Sequence, residues 1–201
     1  MLPDSSATVN EVLSPRRRDL RWYDGSMPSK VGAESLTTEL KRVRLPMGLV
    51  VGRIEIAGSQ VSVETEPFRL DLGTPAVVSA YVAALDIAEF LNLESPGGLK
   101  DFAISIRGGK LFVEATARVI VEVRAKAVCT LRIHEGQALY IDLESVDVMG
   151  LGAKNMVQGH LDQINPILDA KDLPVAMSLE SVEADHDLIL LKGVVSSLRL
   201  G

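Results

Sequence analysis

The side chains that could do chemistry in this chain are few and far apart. The three histidines are His134, His160 and His186. A transition-metal site needs several His or Cys ligands at short spacing, and none of the three has such a neighbour. Asp185-His186-Asp187 sets two carboxylates around an imidazole, which could hold a cation. The same residues between two apolar runs are also turn formers, and a strand turn is the expectation. The one cysteine, Cys129, cannot form an internal disulfide. It occupies an apolar strand position, as a buried small hydrophobe does. A reactive thiol would instead need an electropositive, partly exposed setting. Gly150-Leu-Gly152 lacks the third glycine of a dinucleotide fingerprint, and there is no phosphate loop and no nucleophile elbow. The residues therefore point to no catalytic group, no metal and no cofactor.

The totals narrow the class further. A chain of 201 residues is one domain with extensions, long enough to bury a substantial core. It is 47% hydrophobic but only 4% aromatic, so that core is aliphatic. A net charge of −6 argues against a general nucleic-acid binder, which needs clustered positive charge. No apolar run reaches the length of a membrane-spanning helix. Met1 to Arg21 has no apolar signal core, so the cytoplasm is the expected compartment, with a peripheral place at a membrane left open. Residues 1–30, rich in Ser, Pro, Asp and Arg, read as a flexible polar arm, and 31–201 as a single domain. Arg16-Arg17-Arg18 and Arg21-Trp22-Tyr23 leave transient contact with an anionic membrane surface open, but Asp19 and Asp24 dilute the patch and a solvated tail explains it more simply.

Positioning elements follow from periodicity. Glu34 to Lys41 reads as a short helix. Ile54 and Ile56, then Val61 and Val63, alternate with polar residues, and Gly58-Ser59 between them signals a hairpin. Near Pro67 the apolar phase shifts to Phe68, Leu70 and Leu72, which means a bulge or a break. Ala76 to Ala84 reads as a strand. Asp86 can cap a helix over 86–93 that gathers Ile87, Phe90 and Leu91 on one side. Arg107-Gly-Gly-Lys110 is a tight hairpin turn.

The segment from Lys110 to Ile133 is the most informative. All twelve odd positions from Leu111 to Ile133 are apolar, while even positions are mostly Lys, Glu, Thr and Arg, with Phe112, Ile120 and Val128 as exceptions. One straight strand of this length would exceed about 70 Å. It is therefore two long strands joined by a tight bend near Arg118 to Glu122, or one strongly curved strand, and either way one face stays apolar. After a turn at His134-Glu-Gly-Gln137, Leu139, Ile141 and Leu143 run back. Asn155 to Ala170 reads as a helix that Pro166 kinks or ends. Met177 to Val182 and Leu188 to Leu191 form a last hairpin. Leu143-Glu-Ser-Val and Leu179-Glu-Ser-Val are alike and suggest a shared strand role.

Ala115, Ala117, Ala125 and Ala127 put small side chains on the apolar face, and only two short helices are at hand to cover it. Small residues there allow close helix approach or room for a slender ligand, and plain core packing is the simpler of the two.

The order of several stretches resembles the LmeA-like phospholipid-binding family. They are Gly52-Arg-Ile-Glu-Ile-Ala-Gly58, Thr65-Glu-Pro-Phe68 with Leu70-Asp71, Leu85-Asp-Ile-Ala-Glu-Phe-Leu91 before Ser95-Pro96, and Gly109-Lys-Leu-Phe-Val113. Leu143-Glu-Ser-Val146 before Gly150-Leu-Gly152, and Ile164-Asn-Pro-Ile-Leu168 before Asp172-Leu-Pro174, complete the set. The resemblance implies an α+β, mostly β fold related to tubular lipid-binding proteins. In it a long, strongly curved antiparallel sheet wraps around one main helix plus a short helix. It also implies an apolar groove that holds a phospholipid or fatty acyl ligand without catalysis. Many members carry an N-terminal membrane-targeting segment, where this chain has the polar arm. From pattern, the expected apolar walls are Val119, Val121, Val123, Ala125 and Ala127, with Phe90, Leu161 and Ile164 from the helices. The alternative is an interaction module, a homodimer joined through a sheet edge or an apolar surface.

Overall fold

The computed structural model describes residues 30–65, 68–94, 99–118, 122–148, 153–173 and 177–195. The polar arm, Val119, Val121 and Gly150-Leu-Gly152 lie outside them. As expected, the fold is mostly β, with long antiparallel strands curled into a half-barrel and two helices. Backbone ladders divide the strands into two sets.

The six-stranded set holds β1 (Lys30–Arg44), β2 (Val50–Thr65), β3 (Phe68–Leu72), β4 (Ala76–Ala83), β10 (Met177–Asp185) and β11 (Leu188–Val195), in the order β1-β2-β4-β11-β10 with β3 beside β2. The five-stranded set holds β5 (Lys100–Arg107), β6 (Lys110–Arg118), β7 (Glu122–His134), β8 (Ala138–Val148) and the short β9 (Leu168–Asp169), in sequence order. Helix α1 (Ala84–Glu94) follows β4 directly, and α2 (Ala153–Ile164) follows β8.

The long alternating segment is the hairpin β6–β7, with Leu111 opposite Cys129 and Ala115 opposite Ala125. Its entry turn uses Gly108 and Gly109 at φ 57° and 77°, the left-handed pair that a two-residue hairpin turn requires. What covers its apolar face is chiefly another hairpin. Ile106, Leu111 and Cys129 pack with Ala184 and Ile189 of β10–β11 and with Ala84. Leu161 of α2 and Ile87 of α1 only border this cluster. The two strand sets therefore cover each other, with Ala84 at the start of α1 in the shared core and Leu161 of α2 against it.

Four local expectations are corrected. Glu34 to Lys41 is not helical: it lies within β1, which pairs with β2 from Lys30–Glu64 to Arg44–Val50. A long ladder on offer outweighs the modest helix propensity of this stretch. Gly58-Ser59 is not a hairpin either. Strand β2 runs through it, handing its partner over from β4 (at Arg53–Ala57) to β3 (at Val61–Thr65). Helix α1 begins at Ala84, so Asp86 sits in its first turn rather than capping it. Helix α2 ends at Ile164, before Pro166, and Leu168 belongs to β9.

The two Leu-Glu-Ser-Val stretches do share a role. In β8 the register slips between Leu143, opposite Cys129, and Ser145, opposite Val128. In β10 it slips between Leu179, opposite Gly193, and Ser181, opposite Lys192. Each is a β-bulge that takes up one extra residue. Leucine and valine three apart, which a flat strand would put on opposite faces, can then both join the core. Leu143 and Val182 border the central cluster, and Leu179 is buried beside Leu139 and Ala170. Gly193 is required at the second bulge: a Cβ there would lie 2.6 Å from Ser178 O.

Candidate functional site

Directly opposed residues of antiparallel neighbours share a face, so register alone defines rows across the six-stranded sheet. Val182, Leu191, Ala80, Ile54 and Leu40 form one row. Leu179, Gly193, Val78, Ile56 and Thr38 form the next. At the usual strand spacing each row is about 19 Å wide. That exceeds the roughly 15 Å depth of hydrocarbon in one membrane leaflet.

The first row is half-buried throughout, while the second is buried from Leu179 to Val78 and half-buried at Ile56 and Thr38. Toward β10 and β11, where the five-stranded sheet lies over them, Leu179, Ala184, Ile189 and Val195 are buried. Toward β1 and β2, Leu36, Ile54 and Ile56 are half-buried against a second buried cluster of Val61, Leu70, Val78 and Val195, and Leu40 and Ala80 are half-buried beside them. On the other wall Ile104, Val113, Ala127, Leu131, Ile141 and Leu143 are likewise half-buried around the shared core. Among the described residues no polar or charged side chain is buried, and no buried side-chain polar atom lacks a partner. The interior is thus an aliphatic surface with buried clusters on both sides and a row of half-buried residues between them.

The expected wall residues are only partly brought together. Ala127 and Leu161 border the same cluster, and Ala125 is half-buried two residues before Ala127. Leu161 is held there by Asn165 at the end of α2, whose amide accepts from Ile141 N at 2.9 Å and donates to Ile141 O at 2.8 Å. Val123 sits in β7 opposite Ala117. Val119 and Val121 lie outside the described residues. Phe90 is elsewhere, against the β1–β2 turn, where a Cβ on Gly48 would lie 3.7 Å from its ring. Ile164 is 43% exposed at the end of α2. Leu40, Ile54, Ile56 and Ala80 were not among the expected walls. The signal was present in the alternation of Leu36, Thr38 and Leu40 with polar neighbours, which the helical reading obscured.

One family description, LmeA-like phospholipid-binding, matches residues 30–193. The chain belongs to that family. No curated protein and no solved structure matches it. The family match opens at the first residue of β1 and ends in β11, so it takes in both sheets and both helices.

Among the described residues no charged side chain is buried in the apolar interior, and the one ionisable group within it is the Cys129 thiol. Lys126 pairs with Glu114 at 2.8 Å, holding the Glu114 carboxyl below its usual value by hydrogen bond and charge. Burial pushes the Cys129 thiol up to about 11, so it is protonated and inert at neutral pH. Two surface depressions, of about 350 and 440 Å3, both lie on outer faces, one around Phe112 and Lys126 and one around Glu39 and Glu55.

Asp185-His186-Asp187 is the β10–β11 turn, and its carboxylates hold backbone rather than metal. Asp187 Oδ1 accepts from Ile106 N at 2.7 Å and Asp185 Oδ1 from Gly108 N at 3.0 Å. Two backbone bonds join the same turns, Gly109 N to Ala184 O at 2.9 Å and Asp187 N to Ile106 O at 2.8 Å. The backbone amides of Gly108 and His186 hold the Asp185 carboxyl below its usual value. A carboxyl depressed by folding stabilises above its unfolded pKa, about 3.9, and loses that contribution as pH falls through the folded value. Asp185→Asn is therefore expected to lower the melting temperature at pH 6, with the gap to the native protein narrowing below about pH 4. Paired melts at the two pH values check this, and a gap independent of pH would refute the assignment.

Proposed function

We propose that the protein binds a phospholipid by its acyl chains on the half-open inner face and carries it without chemical change. The observation that carries this reading is the aliphatic face of Leu40, Ile54, Ile56 and Ala80, which points inward yet stays half-buried. Ala125, Ala127 and Leu161 are assigned to the opposite wall. The physical argument is one of equivalent solvents. Each buried methylene is worth about 0.8 kcal/mol against water. A groove lined by Leu, Ile, Val and Ala offers the chain much the same environment as a bilayer. Uptake and release are then both near balance, which suits carriage or membrane-lipid homeostasis. No helix among the described residues is long and apolar enough to cross a membrane, so contact with the membrane would be peripheral.

Native mass spectrometry and solvent extraction of the purified protein test the proposal. The expected result is a co-purifying lipid mass and micromolar binding of a fluorescent acyl probe. Absence of both refutes it.

The dimer reading draws on β1, a 15-residue edge strand. Its Lys30, Glu34, Glu39 and Lys41 carry charge along that edge, the usual device against edge-to-edge pairing. The groove is therefore preferred.

A further inference from the structure

The two helices are built to different strengths. Helix α1 has Asp86 in its first turn, which suits the positive end of the helix dipole, and its Ala84 and Ala88 are buried. Asn92 near its end accepts from Phe102 N at 2.7 Å and donates to Phe102 O at 3.0 Å, tying the helix to β5. At its start Ala84 N donates to Asp187 O. Helix α2 has none of these features along its length. It carries no acid in its first turn and no base in its last, where Asp162 stands at the negative end of the dipole. Gly159 lies in mid-helix, and only proline is a poorer helix former. No close approach requires that glycine, since a Cβ there would meet nothing within 4 Å.

Packing does not make up the difference. A helix of 12 residues is marginal in water without tertiary support. Among the described side chains of α2, Val157 and Leu161 are half-buried, Ile164 is exposed, and none is fully buried. Their side-chain hydrogen bond, Gln158 to Asp162 at 2.8 Å, runs within the helix rather than to a strand. The chain becomes firm past the helix end. Asn165 holds both backbone groups of Ile141, Ile167 N donates to Leu139 O at 2.9 Å, and Ala170 N donates to Gln137 O at 2.7 Å. Residues 165–170 are thus stitched to β8. The helix before them rests on apolar contact, with Leu161 at the same cluster as Ala127, Ile141 and Leu143.

We infer that α2 is a gate: it unwinds from its Ala153 end, stays anchored at the Asn165 stitch, and so uncovers the wall of Ala127, Ile141 and Leu143 for an acyl chain to enter and leave. Segments with few buried contacts are the ones that open locally, and the covers that move over binding sites are drawn from them. The rest of the cover is fastened more firmly. Ile106, Leu111 and Cys129 share a buried core with Ala184 and Ile189 of β10–β11, and α1 is tied at both ends. The purpose of the gate rests on the acyl-chain reading, whereas its opening can be observed without ligand.

Hydrogen exchange and stopped-flow binding of a fluorescent fatty acyl probe, on the full native chain and on Gly159→Ala, test the gate. Without probe, the amides of α2 should exchange faster than those of α1, and saturating probe should slow them. Gly159 is exposed and its added methyl meets no neighbour, so Gly159→Ala should fold normally and slow α2 exchange about fivefold. Probe association and dissociation should slow by the same factor and leave Kd unchanged, because a gate stands on the path in both directions. A helix that serves only as a fixed wall would shift Kd instead, and that result overturns the inference. So does an α2 as protected as α1 in the free protein, or α2 exchange that Gly159→Ala leaves unchanged. If the native protein binds no probe, the acyl-chain reading fails and the gate falls with it. Probe binding whose rates ignore Gly159→Ala while α2 exchange slows removes the gate alone.

Discussion

Ala80→Trp is expected to reduce acyl-probe binding by about two orders of magnitude while costing little stability. Ala80 is the middle of the row Leu191–Ala80–Ile54 and is half-buried, on the face assigned to the groove. An indole there projects into space the ligand needs. Losing contact with several methylenes at about 0.8 kcal/mol each gives an affinity loss of that size. If the site were close-packed core, the same substitution would instead cost roughly 1–3 kcal/mol through overpacking. Ala115 supplies the internal comparison. It is 6% exposed, on the hairpin face packed against the other sheet, and Ala115→Trp should therefore be strongly destabilising. Denaturant midpoints and probe titrations on both variants decide the matter. Equal destabilisation at the two positions, with probe affinity unchanged in Ala80→Trp, would remove the groove from consideration.

Much of this fold was legible because strand periodicity is a local signal. The β6–β7 hairpin could be placed from its odd positions alone, since parity survives a tight turn when the register is symmetric about it. Arg118 opposite Glu122 and Lys110 opposite Thr130 are that symmetry. The cover was not legible. Which element lies over Leu111 and Cys129 depends on contacts between residues some 60–80 positions apart, and Ile189 and Ala184 carry no mark naming their partner. The groove residues were hidden for a related reason. Leu36 and Leu40 fit a helical spacing of four as well as a strand spacing of two, and only the ladder to β2 decides between them. The spacing that gathers Phe90 with Ile87 and Leu91 on one side of α1 names no partner for its ring. Its ring actually rests on the β1–β2 turn, and no spacing rule reports that.

Asp187→Gly is expected to destabilise the protein by about 2 kcal/mol, and comparison with Asp187→Ala and Asp187→Asn assigns the cause. Asp187 does three things at the corner where the sheets meet. Its carboxylate accepts from Ile106 N, its own N–H donates to Ile106 O, and its carbonyl accepts from Ala84 N at 2.9 Å, where α1 starts. The last two are backbone bonds and survive any of these substitutions. The first does not survive Gly or Ala, and Ile106, 1% exposed, then keeps an amide with no acceptor. An unmet buried donor costs about 1–3 kcal/mol. The backbone adds a second, separable cost. Asp187 sits at φ 57°, where alanine is strained by about 1 kcal/mol, glycine is not, and asparagine is tolerated. Alanine should therefore be the worst of the three and glycine intermediate. Asparagine, which keeps both an acceptor oxygen and a tolerance for this backbone, should be close to native. Urea midpoints give the order directly. If glycine were as stable as the native protein, backbone strain alone would govern the site and the carboxylate would hold nothing. If asparagine were as poor as alanine, the full negative charge rather than the acceptor would matter. The order alanine, glycine, asparagine means that the turn acts as a clasp between the walls. It would then fix the spacing of the two sheets at that corner.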